Sequence, residues 1–425
     1  MRKILWSRCF NILNMIIRNG YFLSVAFICS CVIGICSAQH QHLVISGKVL
    51  DENSKEPLSF ASVGIVGKSL ATVANANGEF DFLIPHEFST DSIVISHVGY
   101  ESFRGKVSFL ADRNNAFALR AKPILLHEVI VREKNLTAKE IVSKAVRNLT
   151  LNYSTNPFCL EGFFREIEQE NGKYVLLTEA AVDLYDQKFD GKRKTHLQES
   201  VDVKQTRLSL RMGIGQAGDN IGFALADLIE NNDVRYNRGM LDTASNIFTL
   251  YNITRYNDRI VYGINAKQGT DSSMLYIDME SFGILKIWME RKSRDLEKTF
   301  YEEGLIRNGL IRRRNWFRFS VEFDLYEGKL YPRRMHESEM NELFDAKTGQ
   351  RIINSIETLE FVVTNIIPGK ENRSVKKLRY GMMIKPGEYN EAFWRNLNTM
   401  KLTPLDEKLI KDMEKDISLQ KQFEQ

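Results

Sequence analysis

Apolar and polar residues alternate along residues 43–119 with the period of a β-strand. Ala61, Val63 and Ile65 share one side of a run, and Phe80, Phe82 and Ile84 share one side of another, with Glu79 and Asp81 interleaved. A period of two buries one face of an antiparallel strand. Asp51 to Pro57, Asn75-Ala76-Asn77-Gly78 and Gly99-Tyr100 punctuate the runs with residues that tolerate turn dihedrals. About seven short strands in so short a stretch predict a small β-sandwich.

The period then changes. Thr137-Ala138-Lys139-Glu140 reads as a capping box, and Ile141, Val142, Ala145 and Leu149 fall on one stripe of the helix that follows. From Phe163 to Ile367 strands return, with runs at 174–185, 247–256, 259–265, 274–278, 284–290, 316–325 and 352–366. Leu285, Ile287 and Met289 alternate with Lys286, Trp288 and Glu290, so one face of that strand is expected to be wet. Residues 276–284 read as a hairpin. Such a meander curls, because twist accumulates, into a half-barrel or curved sheet. Thr403-Pro404-Leu405-Asp406 opens a C-terminal helix whose stripe is Leu405, Leu409, Ile410, Met413 and Ile417, with a charged tail expected to fray after Ser418. The fold class is mainly β.

Five motifs carry a family likeness. Ile45-Ser46-Gly47-Lys48-Val49, Pro57-Leu58, Ala61-Ser62-Val63, Asn77-Gly78-Glu79-Phe80 and His97-Val98-Gly99-Tyr100-Glu101 occur in the order that resembles the carboxypeptidase-regulatory-like domain. The resemblance implies a transthyretin-like sandwich, common in exported Bacteroidetes proteins, that is non-catalytic and serves as an accessory or docking module. Leu126-His127-Glu128-Val129-Ile130-Val131 resembles the segment before the plug of TonB-dependent receptors. The residues that follow are too few for the large membrane barrel of such a receptor. Gly162-Phe163-Phe164-Arg165-Glu166, Leu275-Tyr276-Ile277-Asp278, Val321-Glu322-Phe323 and Gly328-Lys329-Leu330-Tyr331-Pro332 resemble a wider family of Bacteroidetes envelope proteins. Their β region is similar to the open half-barrel of lipoprotein carriers. That likeness implies an apolar concavity, lined here by residues such as Leu285, Ile287 and Phe323.

Residues 1–38 read as a secretory leader: Arg2, Lys3, Arg8 and Arg18 precede the apolar run from Tyr21 to Cys36, and small residues lead to a cut after Ala38. A membrane anchor and acylation at Cys31, within a lipobox-like Ile28-Cys29-Ser30-Cys31, are the alternatives. The division is then 1–38 leader, 43–121 sandwich, 122–135 linker, 136–402 helix plus β-domain, and 403–425 C-terminal helix and tail. The full chain holds 58 basic and 54 acidic residues, and the leader takes four of the basic ones. A balanced remainder gives no electrostatic case for nucleic acid. Of five cysteines only Cys159 lies beyond the leader, so no intramolecular disulfide framework is possible. Its apolar neighbours Phe158 and Leu160 point to a buried, inert thiol.

No constellation in the chain demands a catalytic reading. Gly213-Ile214-Gly215-Gln216-Ala217-Gly218 has the dinucleotide spacing, but a charged run precedes it where a buried parallel strand is needed, so it reads as a loop before a helix within 219–230. His40 and His42 sit near the cleaved end, and His97, His127, His196 and His336 lack companions at ligand spacing. His336-Glu337-Ser338-Glu339 and the pair Glu322 and Asp324 read as solvated strand faces. Arg312-Arg313-Arg314 beside Trp316 and Phe317 reads as a loop pairing with local acids or anionic head groups. Asp91-Ser92-Ile93 and Asp242-Thr243-Ala244 resemble a short O-glycosylation motif, with Ser92 and Thr243 the acceptors. No cofactor, metal or catalytic residue is expected. The leading expectation is a non-catalytic envelope binding or accessory protein, periplasmic or peripheral to the outer membrane, with a protein, glycan or lipid partner. A lipid or lipoprotein carrier and a peptidase-associated enzyme are the alternatives.

Overall fold

The computed structural model describes residues 42–122, 136–187, 189–210, 221–232, 234, 236, 239–292, 309–372, 374–379, 389–401, 405–415 and 417–423. The leader with Cys31 and Ala38, His40, the Leu126–Val131 segment with His127, the glycine series at 213–218 and the Thr403-Pro404 cap lie outside them.

The sandwich forms as its alternation predicts. Its strands are β1 (His42–Asp51), β2 (Ser62–Ile65), β3 (Ala71–Val73), β4 (Glu79–Pro85), β5 (Ser92–Ser96), β6 (Phe103–Lys106) and β7 (Asn114–Leu119). One sheet runs β4-β1-β7 and the other β3-β2-β5-β6, and β1 pairs with β7 in parallel. Ile45, Val63, Phe80, Phe82, Ile84, Ile93 and Ile95 are fully buried between the two sheets. The β3–β4 turn needs its glycine. Gly78 has φ +74, and a Cβ there would run into the Val49 carbonyl.

Helix α1 (Ala138–Arg147) opens with the predicted capping box: the Thr137 amide donates to Glu140 Oε2 at 2.7 Å and the Glu140 amide to Thr137 Oγ1 at 3.3 Å. Ile141, Val142, Ala145 and Leu149 are all buried. Thr137→Ala is expected to cost about 1 kcal/mol, read by urea unfolding, because it strands a first-turn amide. No change in the midpoint would show that solvent caps the helix equally well.

The remaining strands build one curved, unclosed antiparallel sheet, ordered β11-β12-β13-β14-β15-β16-β17-β8-β9-β10-β18. They are β8 (Phe158–Glu170), β9 (Lys173–Asp186), β10 (Ser200–Leu210), β11 (Ile247–Tyr256), β12 (Arg259–Gln268), β13 (Asp271–Asp278), β14 (Ile284–Lys292), β15 (Leu310–Tyr326), β16 (Lys329–Asp345), β17 (Arg351–Pro368) and β18 (Lys376–Lys377). Helix α2 (Ile221–Asn232) interrupts them between β10 and β11. Its Leu225 and Leu228, with α1, pack on the apolar inner face among Phe164, Ile264, Ile287, Phe319 and Phe361. Tight packing on this face explains Gly162, where a Cβ would stand 2.6 Å from the Phe361 ring. Leu285, Ile287 and Met289 are buried and Trp288 is exposed, as the alternation predicts.

Two corrections concern the chain's later half. Arg312, Arg313 and Arg314 lie on β15, not in a loop, because the strand begins at Leu310. The tail beyond Ser418 does not fray: after α3 (Glu391–Arg395) and α4 (Leu405–Met413) it forms α5 (Leu419–Phe423). Leu419 is buried with Leu409 and Met413, Gln422 accepts from Ser209 Oγ, and Ile417 is instead exposed.

The sandwich and the segment 389–401 cover the sheet's outer face. Val73 of the sandwich, Phe163 and Val362 of the sheet, and Trp394 and Met400 make one apolar cluster. Asn398 clasps the backbone of Leu83, accepting from its amide at 2.8 Å and donating to its carbonyl at 2.9 Å. The Gly99 amide donates to the Arg255 carbonyl of β11 at 2.8 Å.

Candidate functional site

Two β-bulges aim the charged side chains of β15 and β16. Between Glu322 and Phe323 the β16 partner jumps from Arg334 to Pro332, which leaves Arg333 as the extra residue. A bulge of this kind redirects a side chain that strict alternation would send to the other face. Arg333 and Arg334 therefore both hold the sandwich side. Arg333 donates to Asp324 Oδ2 at 2.7 Å, the Val363 carbonyl at 2.7 Å and the Ser69 carbonyl of the sandwich at 3.1 Å. Arg334 pairs with Glu360 at 2.6 Å and lies 3.8 Å from the Phe60 ring centroid.

Glu322 and Asp324 were expected on a wet face, and Glu322 is 3% exposed. The sandwich lies over that face, so its carboxylate is neutralised rather than solvated. Lys286 reaches it at 2.8 Å, Arg334 at 3.7 Å, and the Tyr256 hydroxyl donates to it at 3.3 Å. Burial pushes the Glu322 carboxyl up, and Lys286 and Arg334 override this to hold it below the ordinary value. His336 faces the same junction, where burial and Arg334 push it down to about 4. Burial and Lys286 also lower His97. His336 is therefore neutral at pH 7.

Beside this network, a cleft of about 490 Å³ separates the outer face of the sandwich's β3-β2-β5-β6 sheet from the β11–β12 and β15–β16 turns. Ser62, Gly64, Ala71 and Ser96 give it a floor of small side chains. Its rim carries charges of both signs, and its arginines are ion-paired: Arg104 meets Asp258 at 2.8 Å, Arg259 meets Asp278 at 3.0 Å and Arg333 meets Asp324 at 2.7 Å. Such a surface matches a neutral polar ligand better than a polyanion, since no run of like charge faces the opening.

The second site lies under α2 on the inner face. A bulge between Arg314 and Trp316 turns Arg312 and Arg314 inward, and both pair with Glu339, Arg314 at 2.7 Å. The loop expectation is corrected here, and the pairing with local acids holds. Glu337 and Glu339 are 2% and 4% exposed, so the solvated-face reading fails for them too. They continue the inward parity of Met335, and α2 seals them. Glu339, Glu357 and Glu168 stand directly opposite one another on β16, β17 and β8. Burial followed by a neighbouring carboxylate, Glu168 for Glu166 and Glu170 for Glu168, pushes both up to about 7, and burial with the surrounding carboxylates pushes Glu337 and Glu357 well above the usual range. Among the described residues no group of three histidine, cysteine, aspartate or glutamate side chains is placed to hold a metal ion.

The other residues singled out in the sequence do not converge. Cys159 is buried, and burial followed by Asp183 pushes its thiol up to about 12. His42 opens β1 and His196 is exposed in a turn region. Ser92 starts β5, and Thr243 sits in the turn before β11. Leu285, Ile287 and Phe323 are 2–3% exposed within the packed core; Leu285 and Phe323 also border the 490 Å³ cleft, the exception among these residues, and the recess on the other side of Phe323 holds only about 30 Å³.

A mainly β protein is thus defined, with a cleft between its N-terminal sandwich and its large sheet and a carboxyl cluster on the sheet's inner face. Residues 45–131 match the family model of the CarboxypepD_reg-like domain, in agreement with the motifs read in the sequence. No curated protein matches the chain. Among solved structures, a LolA superfamily protein from Nitrosomonas europaea aligns at 12% identity over 56% of this chain and 97% of its own, with a TM-score of 0.21. A putative outer membrane lipoprotein-sorting protein domain from Vibrio parahaemolyticus aligns at 11% identity over 56% and 96%, with a TM-score of 0.27. A DUF1329 family protein from Desulfovibrio piger does so at 10% identity over 56% and 96%, with a TM-score of 0.24.

Proposed function

We propose that this chain is a non-catalytic binding protein of the cell envelope, and that its ligand is a neutral, hydroxyl-rich molecule such as a glycan chain seated between the two domains. The observation that carries this reading is the cleft of about 490 Å³, walled by the sandwich and the large sheet, with a small-residue floor and a rim whose arginines are all ion-paired. Clefts at domain junctions are favoured ligand sites. Export agrees with the leader pattern, and no helix among the described residues is long and apolar enough to cross a membrane.

Calorimetric titration with maltotriose and chitotriose tests it. Saturable heat is expected with at least one of them, and Ser62→Trp, which fills the floor, is expected to weaken that binding at least tenfold. Absence of heat with both, or equal affinity in the variant, would remove the cleft from consideration.

A lipid or lipoprotein carrier is the second reading. It is favoured by the apolar inner face, whose cover is helical and therefore separable from the sheet. With so small a recess, an acyl chain enters only if α2 moves. Mass spectrometry of the natively purified protein should then show bound lipid; a lipid-free spectrum with α2 seated counts against this reading.

A further inference from the structure

Asp227, Glu166, Glu168, Glu337, Glu339 and Glu357 gather where α2 meets β16, β17 and β8. Glu166, Glu337 and Glu339 are buried; the other three are half-buried, so protons can be exchanged with water. Among the described residues, all but one of the elements packed here bring charged groups. Strand β15 brings Arg312 and Arg314, β16 brings Glu337 and Glu339, and β17 brings Glu357. Strand β8 brings Glu166, Glu168 and Glu170, and α2 brings Asp227 and Glu230. Strand β9 offers only Leu176 and Thr178.

Both guanidiniums pair with Glu339. Of the remaining carboxyls, Asp227 bonds to Glu337 and Glu166 to Glu357. Two carboxylates cannot share a hydrogen bond unless one carries a proton. Asn231 completes the contact from the helix, donating to Glu337 Oε2 and to Asp227 Oδ1, both at 3.2 Å. A separate observation agrees. Asn341 is 3% exposed and donates to Glu339 Oε1 at 2.6 Å, yet its Oδ1 meets no donor among the described residues. A buried acceptor left this way is costly unless a proton on a neighbouring group reaches it.

We propose that α2 is a proton-dependent latch, seated on the inner face of the sheet while the Asp227–Glu337 and Glu166–Glu357 pairs each keep a proton and loosened when those protons leave to water. Loosening bares Leu225 and Leu228 on the helix and Phe319 on the sheet, the apolar surface that is otherwise sealed. This goes beyond ligand binding in the domain cleft and stands or falls separately from it.

The sign follows from linkage. Unfolded or detached, these glutamates titrate at the ordinary value of 4.5, and in place Glu166 and Glu168 are pushed up to about 7. The seated state therefore holds more protons between about 4.5 and 7. Its advantage is complete below that window and declines as pH rises through it, by up to about tenfold in the opening constant per pH unit for each proton released. Glu337 and Glu357, also pushed well above the usual carboxylate range by burial and neighbouring carboxylates, contribute to the same decline.

Hydrogen exchange of the 224–231 amides, corrected for intrinsic rates, tests the latch in the full chain without any ligand. Protection is expected to fall at least tenfold from pH 5.5 to pH 8 while α1 stays protected. Glu337→Gln, which supplies a permanent donor, is expected to flatten that change, and Glu357→Gln to reduce it. Wild-type protection that does not vary with pH overturns the proposal, as does an unchanged slope in both variants. Should Glu337→Gln fail to fold, Glu357→Gln alone decides by the same measurement.

Discussion

Glu179→Ala is expected to lower the unfolding free energy by about 3–5 kcal/mol at pH 7. Glu179 is 1% exposed on the outer face and lies between Arg165, which donates to it from Nε at 2.7 Å, and Arg207. Arg165 is 3% exposed and spends its remaining reach on the Met400 carbonyl at 2.9 Å. Removing the carboxylate leaves that guanidinium charged and out of reach of water, which costs far more than the pair itself contributes. The pH dependence supplies an internal check. Burial pushes the Glu179 carboxyl up, but Arg165 and Arg207 win and hold it below the ordinary 4.5. Its contribution is therefore complete above 4.5 and lost as pH falls through the depressed value. Urea unfolding at pH 7 and pH 3 should show the deficit shrinking in acid. A deficit under about 1 kcal/mol at pH 7 would mean that Arg165 finds solvent when its partner goes.

The second large effect is Phe361→Ala, expected to cost about 3–5 kcal/mol through lost transfer free energy and the cavity left behind. Phe361 is fully buried, directly across from Phe164 on β8 and Met335 on β16. Its ring also occupies the space a side chain at residue 162 would need. This gives a coupled test. Gly162→Ala should destabilise the wild type yet cost distinctly less in the Phe361→Ala background, where the methyl has room. Additive losses in the double variant would show that the backbone carbonyl of Val362, 2.8 Å from the same Cβ position, is the true obstacle.

These residues also show which parts of the structure can be read from a sequence. The sandwich is legible because Phe80, Phe82 and Ile84 alternate with short polar residues and each turn has its own chemistry. The α1 capping box is legible because two residues three apart make it without tertiary help. Glu337, Glu339 and Glu322 were misread because charge on a strand signals a wet face unless something covers it, and the cover comes from α2 and the sandwich. A usable signal existed: Glu166 and Glu168 follow Phe164, and Glu337 and Glu339 follow Met335, at the same inward parity. The domain cleft left no local trace, since its walls come from segments as distant as Ser62 and Asp324. Strand β10 was hidden by its own charges, several of which form pairs, such as Arg207 with Glu179.

The clasp between Asn398 and Leu83 joins residues 315 positions apart in the chain. The sandwich belongs to the part of the chain that is synthesised first. Its seat against the large sheet cannot be finished until nearly every later residue has arrived. Until the segment 389–401 is present, Val73, Phe163 and Val362 lack the Trp394 and Met400 side chains that pack with them, so a chain cut short before residue 389 is expected to expose this apolar patch.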